Sequence, residues 1–368
     1  MASIVKKTKN KGLAYYVVYR LDGKQYWKLA GSRRKDAEKL KSQIEHDIHT
    51  GTHQELPEIT FRELANKWLD IKRTQVRPKT FASYKPHVSR LIDQFGPYKA
   101  KRITQEMVER FAAELSEQTV LAPATASRIL TLLGGIFRKG QQWSYVGRNP
   151  AEHVSKPKLV KPEVEFLLPD EIKRLMKATD QRHRCLIMFA CLTGCRQSEI
   201  LGLRWSDIDL EAGMVNIRQV LQGGSFFEPK TPKSKRTIVI PPILVQELKV
   251  HKTRQAVELD ANECDLVFTN QLGRPMHSRN LTQRVLEPTL RRAGLRRVGF
   301  HALRHSYVSL LINQGENVRF IQEQVGHSSA TVTWDIYSHL FPENKKEAVL
   351  RLQNSLFKRE DELQTKVF

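Results

Sequence analysis

The sequence lacks long apolar runs and contains little cysteine. No uncharged apolar stretch approaches the roughly 18 residues that a membrane-spanning helix needs, and no apolar signal core follows the charged N-terminus. None of the cysteines shows the paired C-x-x-C spacing of a structural zinc site. These absences predict an unsecreted, cytoplasmic protein whose thiols are free and buried. The four cysteines are Cys185, Cys191, Cys195 and Cys264.

Acidic residues are scarce relative to basic ones. The chain of 368 residues has 39 Asp and Glu against 61 Lys and Arg, which gives a formal net charge of +22. A surplus of this size indicates a polyanionic partner, either nucleic acid or an anionic membrane surface. Because the sequence has no membrane segment, we favour nucleic acid.

Residues 1–55 are predicted to form a small β-rich module. Residues 15–19 and 26–29 are aromatic and β-branched, and the Asp22-Gly23 pair between them is a strong hairpin signal, because both residue types tolerate positive φ. An amphipathic helix is expected to follow and to end at Gly51. A basic sheet of this size can enter a DNA major groove, although its cations can also form a merely solvated face. The candidate contacts are Lys24, Lys28, Arg33 and Arg34.

Residues 58–152 are predicted to be helical, and residues 153–165 to be a basic linker. Thr60 and Glu63 have the spacing of a capping box, and the apolar periodicity predicts four short helices around one core. The linker has no periodicity and is expected to be extended. Basic side chains near helix ends and in the linker are candidate phosphate contacts; they are Arg73, Arg77, Lys79, Lys156 and Lys158.

The remainder is predicted to be a large mixed domain, residues 166–343, followed by a C-terminal tail helix in residues 344–368. Residues 185–192 are apolar on every side and indicate a fully buried helix. Two strands are expected at 214–220 and 236–240, with further helices at 281–293, 301–314, 318–325 and 331–337. The fold class is therefore mainly α with small β-sheets (α+β).

The motif with the most specific chemistry reads T-G-C-R-Q-S-E-I-L-G-L-R-W and spans residues 193–205. Arg196 and Glu199 are three residues apart, so they share one face of a predicted helix. The carboxylate can fix the guanidinium, which then presents N–H donors to a phosphate. Arg196 also lies near the helix N-terminus, where anions are favoured. The alternative is an ordinary surface ion pair.

A second set of motifs lies about a hundred residues downstream. In F-H-A-L-R-H, residues 300–305, His301 and Arg304 share a helical face and combine a proton-transfer group with an anion clamp. G-H-S-S follows at residues 326–329, and Tyr337 stands ten residues after His327. This spacing brings a phenol into the same C-terminal region as the cations.

Together these motifs resemble the tyrosine recombinase (phage integrase) family. Its pattern is T-G-x-R-x-x-E-(I/L)-x-x-L-x-W, a lysine on a β-hairpin, H-x-L-R-H, G-H-(S/T) and then a tyrosine, and every part is present here in order. The likeness covers residues 61–339. Residues 1–55 resemble, more weakly, the arm-site-binding domain of many integrases, and residues 58–152 resemble the helical, SAM-like core-binding domain.

The resemblance implies a role for each matching residue. Tyr337 attacks the scissile phosphate and keeps a 3′-phosphotyrosyl bond. Lys230 protonates the departing 5′ oxygen, His301 assists proton transfer to and from the phenol, and Glu199 supports the arginine beside it. The non-bridging oxygens are held by Arg196, Arg304 and His327.

Two of these assignments have rivals within the sequence. Tyr307 lies three residues after Arg304, but it belongs to an apolar stripe and is predicted to be core. Lys233 and Lys235 occupy the same turn region as Lys230, and the hairpin register decides among the three lysines.

Metals and cofactors are not expected. His301 and His305 have the i, i+4 spacing of a zinc-binding helix, but the glutamate of the metalloprotease motif is missing and Arg304 would place a cation beside the ion. Protein cations can replace a metal in phosphoryl transfer, and exchange of a phosphodiester for a phosphotyrosine needs no ATP.

The resemblance therefore implies a site-specific DNA recombinase that integrates and excises a phage or mobile element through a Holliday junction. Its expected partners are double-stranded attachment sites, a homotetramer on that DNA, a host DNA-bending protein and a directionality factor, all in the bacterial cytoplasm. The tail packs either on its own subunit or on a neighbour. The alternatives are a chromosome-dimer resolvase, a type IB topoisomerase-like relaxase and a non-catalytic DNA-binding regulator with the same fold.

Overall fold

A computed structural model describes most of the chain and divides it into two compact units, residues 1–160 and 161–368. The described residues are 2–9, 12–21, 23–50, 57–117, 121–159, 164–229, 234–259 and 264–326, with 349, 350, 353 and 356. Helices dominate and the sheets are small and antiparallel. The predicted fold class, mainly α with small β-sheets, is confirmed.

The first unit begins with a three-stranded antiparallel sheet and one helix. Strands β1 (Ser3–Lys9), β2 (Gly12–Leu21) and β3 (Lys24–Gly31) pair in that order, and helix α1 (Arg34–His49) follows. The predicted hairpin joins β2 and β3, and Gly23 adopts the positive φ of 78° that such a turn requires. The apolar face of α1 packs on one side of the sheet.

Four helices form the rest of the first unit, as predicted. Their boundaries follow local signals: the Thr60 side chain and Glu63 make the expected capping box, and α3 begins with Pro78 and ends before Gly96. Aromatic and aliphatic side chains from all four helices share one core. The helices are α2 (Phe61–Gln75), α3 (Pro78–Phe95), α4 (Gln105–Glu117) and α5 (Pro123–Gln142).

The second unit is built on a buried central helix. Helix α6 (Pro169–Ala178) precedes α7 (Gln181–Thr193), and α7 leads through a tight turn into the short α8 (Gln197–Leu201). Cys185 to Cys191 are all buried and Leu192 is partly buried, so the predicted burial of residues 185–192 is confirmed except at its last residue. Because α7 is fixed in the core, the turn that follows it is held in a defined place.

Two small sheets lie beside these helices. Strands β4 (Ile208–Asp209), β5 (Met214–Ile217) and β8 (Arg236–Val239) form one sheet, and β6 (Val220–Gln222) and β7 (Ser225–Phe227) form a separate hairpin. The single strand predicted over 214–220 is therefore two strands. The hairpin turns at Gly223 and Gly224, both with positive φ, a signal that the strand pattern obscured.

The remaining described helices carry the downstream motifs. Helix α13 matches the predicted range, and the predicted helix at 331–337 lies outside the described residues, as does most of the tail. No described helix has the length and apolar character to cross a bilayer. The helices are α9 (Pro242–Glu258), α10 (Ser278–Asn280), a π-turn (Leu281–Leu286), α11 (Glu287–Arg292), α12 (His301–Asn313) and α13 (Val318–Val325).

Candidate active site

A glycine turn between α7 and α8 sets the position of Arg196. Gly194 ends α7 with a φ of 60°, in the left-handed region where glycine is unstrained. A Cβ atom at Gly194 would lie 2.5 Å from Cδ1 of Tyr307, so a larger residue does not fit. Arg196 follows as the N-cap residue of α8, and its side chain keeps 35% of its surface exposed.

Glu199 holds Arg196 as the sequence predicted. Its Oε1 accepts a hydrogen bond from Nη1 of Arg196 at 2.7 Å, and its Oε2 accepts one from the Arg196 backbone N–H at 2.9 Å. The Glu199 side chain is only 1% exposed. Burial tends to raise the pKa of this carboxyl group, but Arg236 and then Arg196 outweigh burial and lower it. The carboxylate therefore stays charged and fixes the guanidinium.

Arg304 reaches the same turn from α12. It is 2% exposed, and its Nη1 donates to the carbonyl oxygen of Gly194 at 2.8 Å. Its buried Nη2 has no hydrogen-bond partner among the described residues. Burial and the nearby Arg196 lower the Arg304 pKa to about 10, so the group is still positive at neutral pH. A buried cationic donor without a partner is suited to bind an anion.

His301 begins α12 on the same face as Arg304. Its ring lies 4.7 Å from that of His305, centroid to centroid, in an edge-on arrangement. Partial burial, followed by His305 and Arg304, lowers the His301 pKa to about 4. The imidazole is therefore neutral at pH 7 and can accept a proton.

This lowered pKa predicts how the DNA-free protein responds to acid. We expect the His301 ring to titrate near pH 4, as measured by NMR of ring-labelled histidine, with His301→Gln identifying the resonance. Since the unfolded histidine titrates at about 6.5, the unfolded chain binds more protons between these values. The free energy of unfolding should therefore fall as the pH drops through that window. A titration midpoint of the His301 ring at or above pH 6.5 would contradict the lowered pKa.

Three predicted catalytic residues, Lys230, His327 and Tyr337, lie outside the described residues. A neighbour of one of them is described: the carbonyl oxygen of Gly326 accepts a hydrogen bond from Nη2 of Arg196 at 3.0 Å. The backbone immediately before His327 is therefore in contact with Arg196.

The structure describes two of the rival candidates, Tyr307 and Lys235. Tyr307 is partly buried against the apolar cluster of α12 and α13, and burial raises its pKa to about 12, which makes it a weaker nucleophile than an ordinary tyrosine. Lys235 pairs with Glu228 at 2.9 Å, and Lys233 is outside the described residues. No group of three or more His, Cys, Asp or Glu side chains among the described residues could hold a metal ion.

The sequence reasoning missed Arg236 as a member of this site. The residue starts β8 and its side chain is 6% exposed, with Nη2 at 2.9 Å from Oε2 of Glu199. One signal was available: in a strand, side chains two apart share a face, and Arg236 shares its face with the apolar Ile238. An arginine on an inward face needs a buried anion, and Glu199 is that anion.

The N-terminal sheet separates its basic residues onto two faces. Lys7 lies over the Trp27 ring at 4.1 Å from its centroid, and Tyr16 meets Trp27 edge-on, on the face opposite to α1. Lys24 and Lys28 are at even positions of β3 and Trp27 is at an odd one, so the two lysines lie on the sheet face that α1 covers. Arg33 is the N-cap residue of α1. Arg34 pairs with Glu38 at 3.0 Å. The open aromatic and basic face was not identified from the sequence.

The candidate phosphate contacts of the helical region concentrate at one helix junction. Arg73 lies in the last turn of α2, Arg77 is the N-cap residue of α3, and Lys79 is in its first turn. Lys156 and Lys158 are exposed in the segment after the helices, which has no regular secondary structure.

Comparison with known proteins identifies the family of the chain. The phage integrase family matches residues 165–344, and the phage integrase N-terminal SAM-like domain matches residues 60–116. The family match and the named relatives define a DNA recombinase. The chain belongs to the phage integrase family of tyrosine recombinases.

Three similar proteins illustrate the relationship. A tyrosine recombinase XerC-like protein of Caldanaerobacter subterraneus subsp. tengcongensis is 30% identical, with 89% of this chain and 91% of that protein covered. The ICEBs1 integrase of Bacillus subtilis is 27% identical, with 88% and 91% covered. A lambda integrase tetramer bound to a Holliday junction has the same fold, with a TM-score of 0.61, 18% identity, and 92% and 96% covered.

Proposed function

We propose that the protein is a site-specific integrase that cuts and rejoins DNA through a 3′-phosphotyrosyl bond to Tyr337. The observation that carries the proposal is the buried Nη2 of Arg304, which has no hydrogen-bond partner within the described part of the chain and lies at the turn that also positions Arg196. Such a pair of guanidiniums matches the charge that develops on a phosphodiester during substitution at phosphorus.

The proposed reaction exchanges one oxygen–phosphorus bond for another. The phenol oxygen of Tyr337 bonds to phosphorus as the bond to the 5′ oxygen breaks. His301, neutral at pH 7, takes the phenol proton, and Lys230 gives a proton to the departing 5′ oxygen. Because one phosphodiester replaces another, no external energy source or cofactor is needed. The non-bridging oxygens are bound by Arg196, Arg304 and His327.

A tyrosine requires this cationic surrounding. Its ordinary pKa is about 10, so a free phenol is a poor nucleophile at neutral pH. Nearby guanidiniums stabilise both the phenolate and the pentavalent phosphorus. The same cations assist the reverse step. A free 5′ hydroxyl from another duplex can attack the phosphorus of the phosphotyrosyl bond, which releases the phenol and forms a new phosphodiester.

Integration and excision of a mobile element is the use that we propose for this chemistry. The similarity to the ICEBs1 integrase over 88% of the chain and the additional N-terminal module support it. The XerC-like relative favours a second candidate, resolution of chromosome dimers. Recombination between plasmids that carry candidate attachment sites would distinguish the two uses.

The N-terminal module and the helical region supply further DNA contacts in this proposal. The open face around Lys7, Tyr16 and Trp27 combines cations with aromatic rings and is shaped as a three-stranded sheet, which a major groove can admit. The basic residues at the α2–α3 junction and in the segment at 156–158 would bind phosphates. The proposal keeps the division made from the sequence into three domains, a basic linker and a tail helix.

We further propose a homotetramer on DNA that passes through a Holliday junction, as the lambda integrase of similar fold is bound to one as a tetramer. A host DNA-bending protein and a directionality factor would assist, and the enzyme would work in the bacterial cytoplasm. In this proposal the tail, residues 344–368, packs either on its own subunit or on a neighbour.

The test is covalent capture of DNA. The purified full-length protein is incubated with nicked suicide substrates made from DNA flanking the gene, and the products are separated on denaturing gels. We expect a protein–DNA adduct that protease digestion reduces to a phosphotyrosyl peptide. Specific DNA binding with no adduct on any substrate would instead indicate the non-catalytic regulator.

A further inference from the structure

We propose that Arg236 is a positioning residue, which ties the start of β8 and the end of α13 to the Arg196–Glu199 pair. The inference rests on the proposed recombinase function and deepens it. It concerns how segments distant in sequence are held in place around the scissile phosphate, rather than a group that touches DNA.

The first observation is that Arg236 uses its whole guanidinium inside the protein. Nη1 and Nη2 donate to the two carboxylate oxygens of Glu199 at 3.2 Å and 2.9 Å, in a bidentate arrangement. Nε donates to the carbonyl oxygen of Gln324 at 2.7 Å. Lysine has a single ammonium and cannot reproduce this planar set of donors.

The second observation is the contact between Arg236 and the end of α13. Gly326 ends that helix with a φ of 68°, and a Cβ atom there would lie 2.9 Å from Nη1 of Arg236. The carbonyl oxygen of Gly326 also accepts the hydrogen bond from Arg196 described above. Two guanidiniums therefore fix the residue that immediately precedes His327.

The third observation concerns charge. Glu199 is shared by Arg196 and Arg236, so the three side chains together keep a net positive charge. A buried carboxylate with one arginine would neutralise that arginine, whereas a second arginine leaves the first able to attract phosphate. Arg236 supplies this second cation without needing to reach the DNA itself.

The fourth observation is the place of Arg236 in the chain. It is the first residue of β8 and follows the segment that contains Lys230. The Arg236 side chain thus joins two places in the chain. One is the start of β8, after the segment with Lys230, and the other is the end of α13, before the segment with His327 and Tyr337. Misplacement of a reacting group by about 1 Å can lower a rate by about 10²-fold.

The test compares Arg236→Lys with Arg319→Lys as a matched control. Arg319 is on α13, the helix whose end Arg236 contacts, but it is exposed and pairs with Glu323 at 3.0 Å. With enzyme in saturating excess over a suicide substrate, we expect Arg236→Lys to form adduct about 10- to 100-fold more slowly, while its Kd for the same DNA changes less than about twofold. Arg319→Lys should match the wild type in both measurements.

A second measurement does not depend on activity. Hydrogen–deuterium exchange of the full-length DNA-free proteins should show faster exchange at the C-terminal end of α13 in Arg236→Lys only, because the bond to Gln324 is lost. Wild-type rate and exchange in Arg236→Lys would overturn the inference, and so would equal losses of DNA affinity and rate, which indicate a general structural defect. If the wild type forms no adduct, the proposed function fails, and the exchange result still decides whether Arg236 holds α13.

Discussion

Replacing Tyr337 by phenylalanine is expected to abolish covalent attachment to DNA while DNA binding persists. The substitution removes one oxygen atom, which is the proposed nucleophile, and phenylalanine offers no atom that can replace it as a phosphoryl acceptor. Loss of a nucleophile lowers rates by about 10⁴-fold or more, which places the adduct below detection on a denaturing gel. The DNA affinity, measured by fluorescence anisotropy, should change less than about twofold, because many other phosphate contacts determine it.

Tyr307→Phe is the matched control for this experiment. It makes the same chemical change in the same unit, at a tyrosine that burial makes a poor nucleophile. We expect Tyr307→Phe to keep at least about half of the wild-type adduct, since the aromatic ring that packs against the turn at Gly194 is unchanged. An adduct that survives in Tyr337→Phe and disappears in Tyr307→Phe would reassign the nucleophile.

The second large effect is expected from Arg304→Lys. Lysine keeps the positive charge, but one ammonium cannot bond to the Gly194 carbonyl and present a second donor to the phosphate as the guanidinium does. Removal of one donor to a developing oxyanion lowers rates by about 10²–10³-fold. We therefore expect cleavage in single-turnover assays to fall by that factor, while DNA affinity falls less than about tenfold.

Arg296→Lys provides the comparison for Arg304. Arg296 belongs to the same unit, but it is 48% exposed and pairs with Glu171 away from the turn at Gly194. Its replacement should leave the cleavage rate within about twofold of the wild type, because lysine keeps the charge and the pair with Glu171 includes none of the proposed phosphate-binding groups. A normal cleavage rate in Arg304→Lys would mean that the unsatisfied Nη2 group does not bind the phosphate.

The helices were largely predictable because their signals are local. The range of α13 and the capping box at Thr60 follow from residues within one or two turns of each other. The contact between Arg196 and Glu199 was predictable for the same reason, since a spacing of three residues fixes their proximity once the helix exists.

The rest of the site depends on contacts between distant residues. Arg236 and Glu199 are 37 residues apart, and Arg196 and Gly326 are 130 apart. Periodicity describes which face of an element is apolar, but it does not say which elements meet. The family resemblance supplied the list of residues, whereas the glycine turn, the burial of Arg304 and the role of Arg236 required three-dimensional packing.

The shared carboxylate also has a consequence for engineering. Hybrid recombinases are made by joining segments of two parents, and a crossover between residues 199 and 236 would combine the acid of one parent with the arginine of the other. A hybrid that lost either partner would bury an unbalanced charge, which is strongly destabilising. Positions 196, 199 and 236 should therefore be inherited together, so productive crossovers lie before Arg196 or after Arg236.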